Sequence, residues 1–130
     1  MAVRYADIDA QGHVNHARYF TFMEEARMRY VQALGLGTDS SDFNAVGQIV
    51  AEATCAYLQP VFLGQTVDVA VRVARLGTKS LDLDYQLSVA GQVVARGRTV
   101  QVAYDYAVRR SIPIPDAWRP AIAVFENPAT

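Results

Sequence analysis

In Asp7-Ile8-Asp9-Ala10-Gln11-Gly12-His13-Val14-Asn15, two carboxylates and a tight turn stand directly before a long amphipathic segment. A helix start carries unpaired backbone N–H groups and a partial positive charge, so it can hold an anion or a developing oxyanion. A carboxylate a few residues upstream adds a base or a nucleophile beside that electrophilic patch. The combination suits acyl transfer. Asp7 and Asp9 stand two residues apart at what reads as a strand end. One of them is then free to cap a turn or pair with Arg4, and Asp7 is read as that structural partner. His13 is a general acid in one reading and a hydrogen-bonded packing residue in the other. With only His16 beside it, it makes a poor metal set, and no metal site is expected.

The elements that must position these residues follow from periodicity. From His16 to Leu34, Tyr19, Met23, Ala26, Tyr30 and Leu34 recur at helical spacing, widened by Phe20, Phe22 and Val31. Arg18, Thr21, Glu25, Arg29 and Gln32 take the opposite side, with Glu25 and Arg29 spaced as a favourable pair. Asn15 suits the N-cap and Gly35 the left-handed ending of this helix. A leader strand occupies Val3–Ala6 at most. After a polar linker from Thr38 to Asn44 the period changes to two. Strands are expected near Gln48–Leu58, Thr66–Leu76, Ser80–Val89 and Val93–Tyr106, joined by short turns at Leu76-Gly77-Thr78-Lys79 and Gly91-Gln92. These are antiparallel signals. In the tail, Pro120 argues against one continuous helix around Asp116–Phe125.

The 130 residues, 52% of them apolar, suit a single domain spanning 1–130 with its own core. A net charge of −1, with no basic cluster beyond Arg109-Arg110, argues against nucleic acid or an anionic membrane as partner. No apolar run reaches ~18 residues and no signal-peptide pattern opens the chain, so a soluble protein is expected. Cys55 is a lone cysteine, consistent with a reducing cytoplasm, and it reads as a packed strand thiol without a cationic activator. One helix and a few long antiparallel strands make an α+β fold. The helix is apolar over more than half its circumference, so sheet curvature or a second subunit must cover the remainder. A homodimer across the exposed sheet edge is the expected assembly.

The run Arg4-Tyr5-Ala6-Asp7-Ile8-Asp9-Ala10-Gln11-Gly12-His13-Val14-Asn15-His16-Ala17-Arg18-Tyr19, followed by Glu24-Glu25-Ala26-Arg27, resembles the opening signature of hot-dog fold acyl-CoA thioesterases of the 4-hydroxybenzoyl-CoA thioesterase type. Tyr57-Leu58-Gln59-Pro60-Val61, Leu63-Gly64 and Arg75-Leu76-Gly77-Thr78-Lys79-Ser80 resemble the same family's strand ends and turns, in the same order. The resemblance implies a long central helix wrapped by a curved antiparallel sheet of about five strands. It implies hydrolysis of acyl-CoA thioesters, with Asp9 as the essential carboxylate and the backbone N–H of His16 as oxyanion donor. Gly12 would let the backbone turn closely past the thioester, while Val14, Asn15 and Tyr19 would border the acyl group, with Phe20 and Phe22 beside them. Lys79 and Ser80 resemble the place where the family holds the nucleotide or pantetheine part of coenzyme A. Coenzyme A would arrive as part of the substrate, with no bound cofactor, and the homodimer would assemble further to a homotetramer.

Asp9 must either deprotonate water or attack the carbonyl itself, and sequence does not choose between the two. Glu24 and Glu25 are weighed because some other hot-dog thioesterases use a helix carboxylate; here Arg27 and Arg29 offer them ion-pair partners. Glu52 has no assigned role. Two other readings stay open. A hot-dog hydratase would pair an aspartate with a histidine, but Asp9 and His13 stand one residue short of the D-x4-H spacing. A non-catalytic acyl-CoA-binding module would carry a DNA-binding segment, which is not found here. Neither the acyl chain nor its carrier, coenzyme A or acyl carrier protein, is legible.

Overall fold

A computed structural model describes residues 1–36 and 46–126. The polar linker from Thr38 to Asn44 lies outside the described residues. Helix α1 spans Arg18–Leu34 and buries Tyr19, Phe22, Met23, Ala26 and Tyr30, the three- and four-residue spacing of a single face. It starts two residues later than its periodicity suggested. Asn15 still serves the start, its Oδ1 accepting from the Ala17 N–H at 2.9 Å. At the far end Gly35 takes φ +69°, and the Leu36 N–H donates to the Val31 carbonyl at 2.9 Å. That bond satisfies one of the last carbonyls of the helix and stops it.

The sheet is antiparallel throughout. Its strands are β1 (Val46–Tyr57), β2 (Asp68–Leu76), β3 (Ser80–Val89), β4 (Gln92–Asp105) and the short β5 (Arg110–Ser111). The order is β1-β4-β3-β2, and β5 pairs with the end of β4. Cross-strand partners share a face. Ala53, Cys55 and Tyr57 of β1 therefore lie on the same face as Thr99, Gly97 and Ala95 of β4, and as Leu83, Tyr85 and Leu87 of β3. α1 packs on that face. Arg27 of α1 donates to the Tyr85 hydroxyl at 3.3 Å, and that hydroxyl also meets Thr99 Oγ1 at 2.8 Å. Gly97 lets the helix come close, because a Cβ there would overlap Met23 Sδ and stand 3.2 Å from the Thr54 carbonyl oxygen.

Two expectations are corrected. Val3–Ala6 is not a strand: Tyr5–Asp7 forms a 3-10 turn, flanked by isolated bridges from Ala2 to Thr66 and from Ile8 to Val14. Asp7 and Asp9 consequently do not lie on one strand. In the tail, α2 runs unbroken over Trp118–Glu126 despite Pro120. Pro120 sits in the first turn, where an N–H has no partner within the helix, so the missing donor costs nothing. α2 is tied down by Glu126, whose Oε1 accepts from the Tyr30 hydroxyl at 2.6 Å and from the Val73 N–H at 2.9 Å. One carboxylate thus joins α1, α2 and β2. Burial, and then the bond to Glu126, push the Tyr30 phenol well above its ordinary range, so it remains a donor.

Gly97→Ala should cost about 1–3 kcal/mol in denaturant unfolding through overpacking against Met23. In the Met23→Ala background the new methyl enters vacated space, so the double variant should lose less than the sum of the two singles. Strict additivity would contradict this account of the helix–sheet contact.

Candidate active site

The segment from Asp7 to Tyr19 is a chain of backbone hydrogen bonds arranged around one turn. Asp9 N–H donates to the His13 carbonyl at 3.0 Å, and Gly12 N–H to the Asp9 carbonyl at 3.1 Å. Gly12 takes φ +87° with open space where a Cβ would stand, so the position requires glycine for its backbone angle. Beyond the turn, Val14 N–H donates to Val61 at 2.7 Å and Asn15 N–H to the Asp7 carbonyl at 2.8 Å. The approach to α1 is thereby clamped to the chain before and after it.

Asp7 is the anchor of this clamp. It is 1% exposed, and its carboxylate accepts from the Arg4 backbone N–H at 2.9 Å and from the Arg4 guanidinium at 3.0 Å. Burial works to raise its pKa, yet the Arg4 hydrogen bonds, with the charges of Arg4 and Arg18, hold it below the ordinary aspartate value. The structural role expected for Asp7 is the one seen. Asp9 is different. It is half-buried, its Oδ1 accepts from the Gln11 N–H at 2.9 Å, and Oδ2 takes no hydrogen bond among the described residues.

Asp9 opens on a cleft of about 390 Å³ whose lining includes Gln11, His13, Val14, His16, Tyr19 and Tyr57, closed below by Leu58-Gln59-Pro60. Among the described residues the His16 N–H has no acceptor, while the N–H groups of Ala17, Arg18 and Tyr19 all have one. In its Nδ1–H tautomer, His13 donates to the Val14 carbonyl at 3.2 Å, a local packing bond. Tyr19 is buried, edge-on to Tyr57 with centroids 4.9 Å apart. The Tyr57 hydroxyl donates to the His16 carbonyl at 2.9 Å.

Of the residues marked from sequence, the cleft therefore gathers Asp9, His13, Val14, His16 and Tyr19. Gly12 and Asn15 shape the turn and cap the helix without lining it. Phe22 is buried in the core and Phe20 packs partly against it, so neither walls the cleft. Lys79 and Ser80 are elsewhere in the same chain. Ser80 faces Val102 on β4 whereas Tyr57 faces Ala95, a separation of roughly 23 Å at the rise of a strand. Glu25 pairs with Arg29 at 3.0 Å as its spacing suggested, but Arg27 turns to Tyr85 and Glu24 borders a separate cavity of about 220 Å³. Tyr57 is the residue that sequence reasoning passed over. Its signal was an aromatic at the last inward-facing position of a strand, just before Pro60.

The sequence matches the thioesterase-like superfamily over residues 3–122. The chain belongs to that superfamily. It is 33% identical over 124 residues to a 1,4-dihydroxy-2-naphthoyl-CoA hydrolase of Thermosynechococcus vestitus, covering 89% of this chain and 83% of that protein. Among solved structures, a thioesterase from Thermus thermophilus complexed with coenzyme A and Zn superposes with a TM-score of 0.86 and 32% identity, over 100% of this chain and 93% of that one. A gentisyl-coenzyme A thioesterase gives 0.84 and 29%, over 95% and 97%. The antiparallel sheet with α1 on one face is thus the hot-dog thioesterase fold, and the chain is a thioesterase. Burial pushes the Cys55 thiol up, against a smaller downward pull from Tyr57.

The Asp7 carboxylate supplies a pH prediction. A group whose folded-state pKa is lowered stabilises the fold above its unfolded value and loses that contribution as pH falls through the folded one. Wild type should exceed Asp7→Asn in stability near neutral pH, and the gap should close as the pH drops below the ordinary aspartate value. A gap that stays constant in pH-dependent thermal unfolding would show that the charge of Asp7 is not what stabilises the turn.

Proposed function

We propose that this thioesterase hydrolyses acyl-CoA thioesters at the Asp9 cleft, with Asp9 as base or nucleophile and the His16 N–H as oxyanion donor. The observation that carries the reading is that two residues lining one cleft each keep a group without a partner among the described residues: a carboxylate oxygen of Asp9 and the backbone amide of His16. In the first route Asp9 takes a proton from water and the resulting hydroxide oxygen attacks the thioester carbon. The tetrahedral oxyanion is held by the His16 N–H, the C–S bond breaks, and the proton passes from Asp9 to the departing thiolate. In the second, Asp9 attacks directly, thiolate leaves, and water hydrolyses the mixed anhydride. Either way the amide donor contributes ~3–4 kcal/mol by analogy with other acyl-transfer sites. No metal or redox cofactor is needed, since coenzyme A enters with the substrate.

For the acyl group we propose a hydroxyaryl class, within the scope of the 4-hydroxybenzoyl-CoA type. The names of the dihydroxynaphthoyl-CoA and gentisyl-CoA relatives support this, as do the Tyr19 and Tyr57 rings walling the cleft. The assembly proposed is a homodimer joined through β1, which forms one edge of the sheet and exposes Ile49, Val50 and Tyr57. A two-fold axis through the middle of β1 sets the Tyr57 end of one strand beside the Val46 end of the other. The partner's Lys79–Ser80 hairpin then shares an end with Asp9, about three strand spacings or roughly 14 Å away. That arrangement suits coenzyme A lying across the joint, closes the sheet around α1, and leaves tetramer formation to the remaining faces. No helix among the described residues is long and apolar enough to cross a membrane, and we propose a cytoplasmic enzyme.

Thiol release should be measured across hydroxyaryl-, benzoyl- and straight-chain acyl-CoAs. Asp9→Asn should lower kcat by about 10²–10⁴-fold, with KM little changed. Hydrolysis that survives Asp9→Asn unchanged would contradict the assignment, and wild-type binding without turnover would favour an acyl-CoA-binding module.

A further inference from the structure

We propose that Tyr57 is a positioning residue for thioester hydrolysis: its hydroxyl ties the His16 carbonyl to the sheet and so aims the His16 amide into the cleft. The inference rests on the reading of that amide as oxyanion donor. His16 lies before α1, where the regular ladder has not begun. The bonds around it are of the tighter, poorer three-residue type: Arg18 N–H to the Asn15 carbonyl at 2.9 Å and Tyr19 N–H to the His16 carbonyl at 3.3 Å. The second of these is long. The shorter partner of the His16 carbonyl is the Tyr57 hydroxyl, at 2.9 Å.

The peptide units on the two sides of His16 are therefore held by different means. The upstream unit is pinned through the Asn15 carbonyl, with Asn15 N–H bound to Asp7. The downstream unit is held at its N–H by Asn15 Oδ1, at 2.9 Å, and at its carbonyl by a side chain from the sheet. Tyr57 is well suited to this work. It ends β1 opposite Ala95, and its ring is packed edge-on against Tyr19 at 4.9 Å and His16 at 6.2 Å. Burial, then neighbouring Cys55 and Tyr19, push its phenol above the ordinary value, so it remains a protonated donor across neutral pH. Removing the hydroxyl alone leaves the ring contacts and releases the His16 carbonyl from the sheet, so the residue that carries the amide is braced from its upstream side and by the longer Tyr19 bond only. A small misplacement of a preorganised group is costly in rate.

Tyr57→Phe should lower kcat about tenfold and leave KM within about twofold. Replacing Tyr57 by para-aminophenylalanine, which restores a donor at the same place, should recover most of the loss. A direct readout is the thioester carbonyl stretch of benzoyl-CoA, by difference Raman spectroscopy on the slow Asp9→Asn enzyme. Binding should lower that frequency, and adding Tyr57→Phe should cancel a measurable part of the lowering. If the lowering is the same with and without the Tyr57 hydroxyl, the positioning role is overturned while the oxyanion reading stands. If Asp9→Asn shows no lowering at all, the oxyanion reading fails and the role of Tyr57 falls with it. An unchanged His16 amide resonance in Tyr57→Phe would likewise overturn the proposal, and it needs no catalysis to be read.

Discussion

A polar group left unpaired at the edge of a folded core is costly unless water or a ligand meets it, and this structure leaves one in place while satisfying its neighbours at the start of α1. The N–H groups of Asn15, Ala17, Arg18 and Tyr19 all have acceptors, and that of His16 has none among the described residues. The acceptors come from separate parts of the chain. Asp7 supplies a carbonyl, Asn15 supplies both its carbonyl and its side chain, and the carbonyl of His16 itself is held by Tyr57 and Tyr19. In the proposed mechanism, that free donor is what the thioester oxygen meets.

Holding it still is a packing problem. α1 must be set against β1 and β4 closely enough for a hydroxyl on the sheet to reach the helix approach. Gly97 permits that closeness beneath Met23, and Arg27 reaches the Tyr85–Thr99 pair on the same face. At the other end, Glu126 gathers Tyr30 and Val73 and so fixes where α1 stops relative to β2. The buried Asp7 carboxylate closes the arrangement at the N-terminal side, its desolvation offset by three bonds from Arg4. Rigidity at the site is thus drawn from contacts at both ends of one helix.

Periodicity made α1 and the four long strands legible, because an amphipathic face at either period leaves its mark on residue type. It made less of the short pieces. Val3–Ala6 looks extended by composition, but the Arg4–Asp7 bonds close it into a turn, a contest between propensity and a charged pair that no pattern reveals. Pro120 misled because its effect depends on its position within the turn, and helix boundaries are poorly marked in sequence. Asp9 and His16 were legible through the motif and the logic of helix starts. Phe20 and Phe22 were misplaced because helical spacing says which face is apolar but not which part of that face meets the cleft. Tyr57 stayed hidden for a similar reason: its partner is a backbone carbonyl 41 residues away, and such a contact leaves no local trace.

The central claim is that the His16 amide and the Asp9 carboxylate flank one reacting carbonyl. A crystal structure with a non-hydrolysable acyl-CoA analogue, its sulfur replaced by a methylene, would test it most directly. The account predicts the carbonyl oxygen about 2.7–3.1 Å from the His16 nitrogen, with the Asp9 carboxylate facing the carbonyl carbon. A carbonyl seated away from His16, against Glu24 in the neighbouring cavity for example, would contradict it.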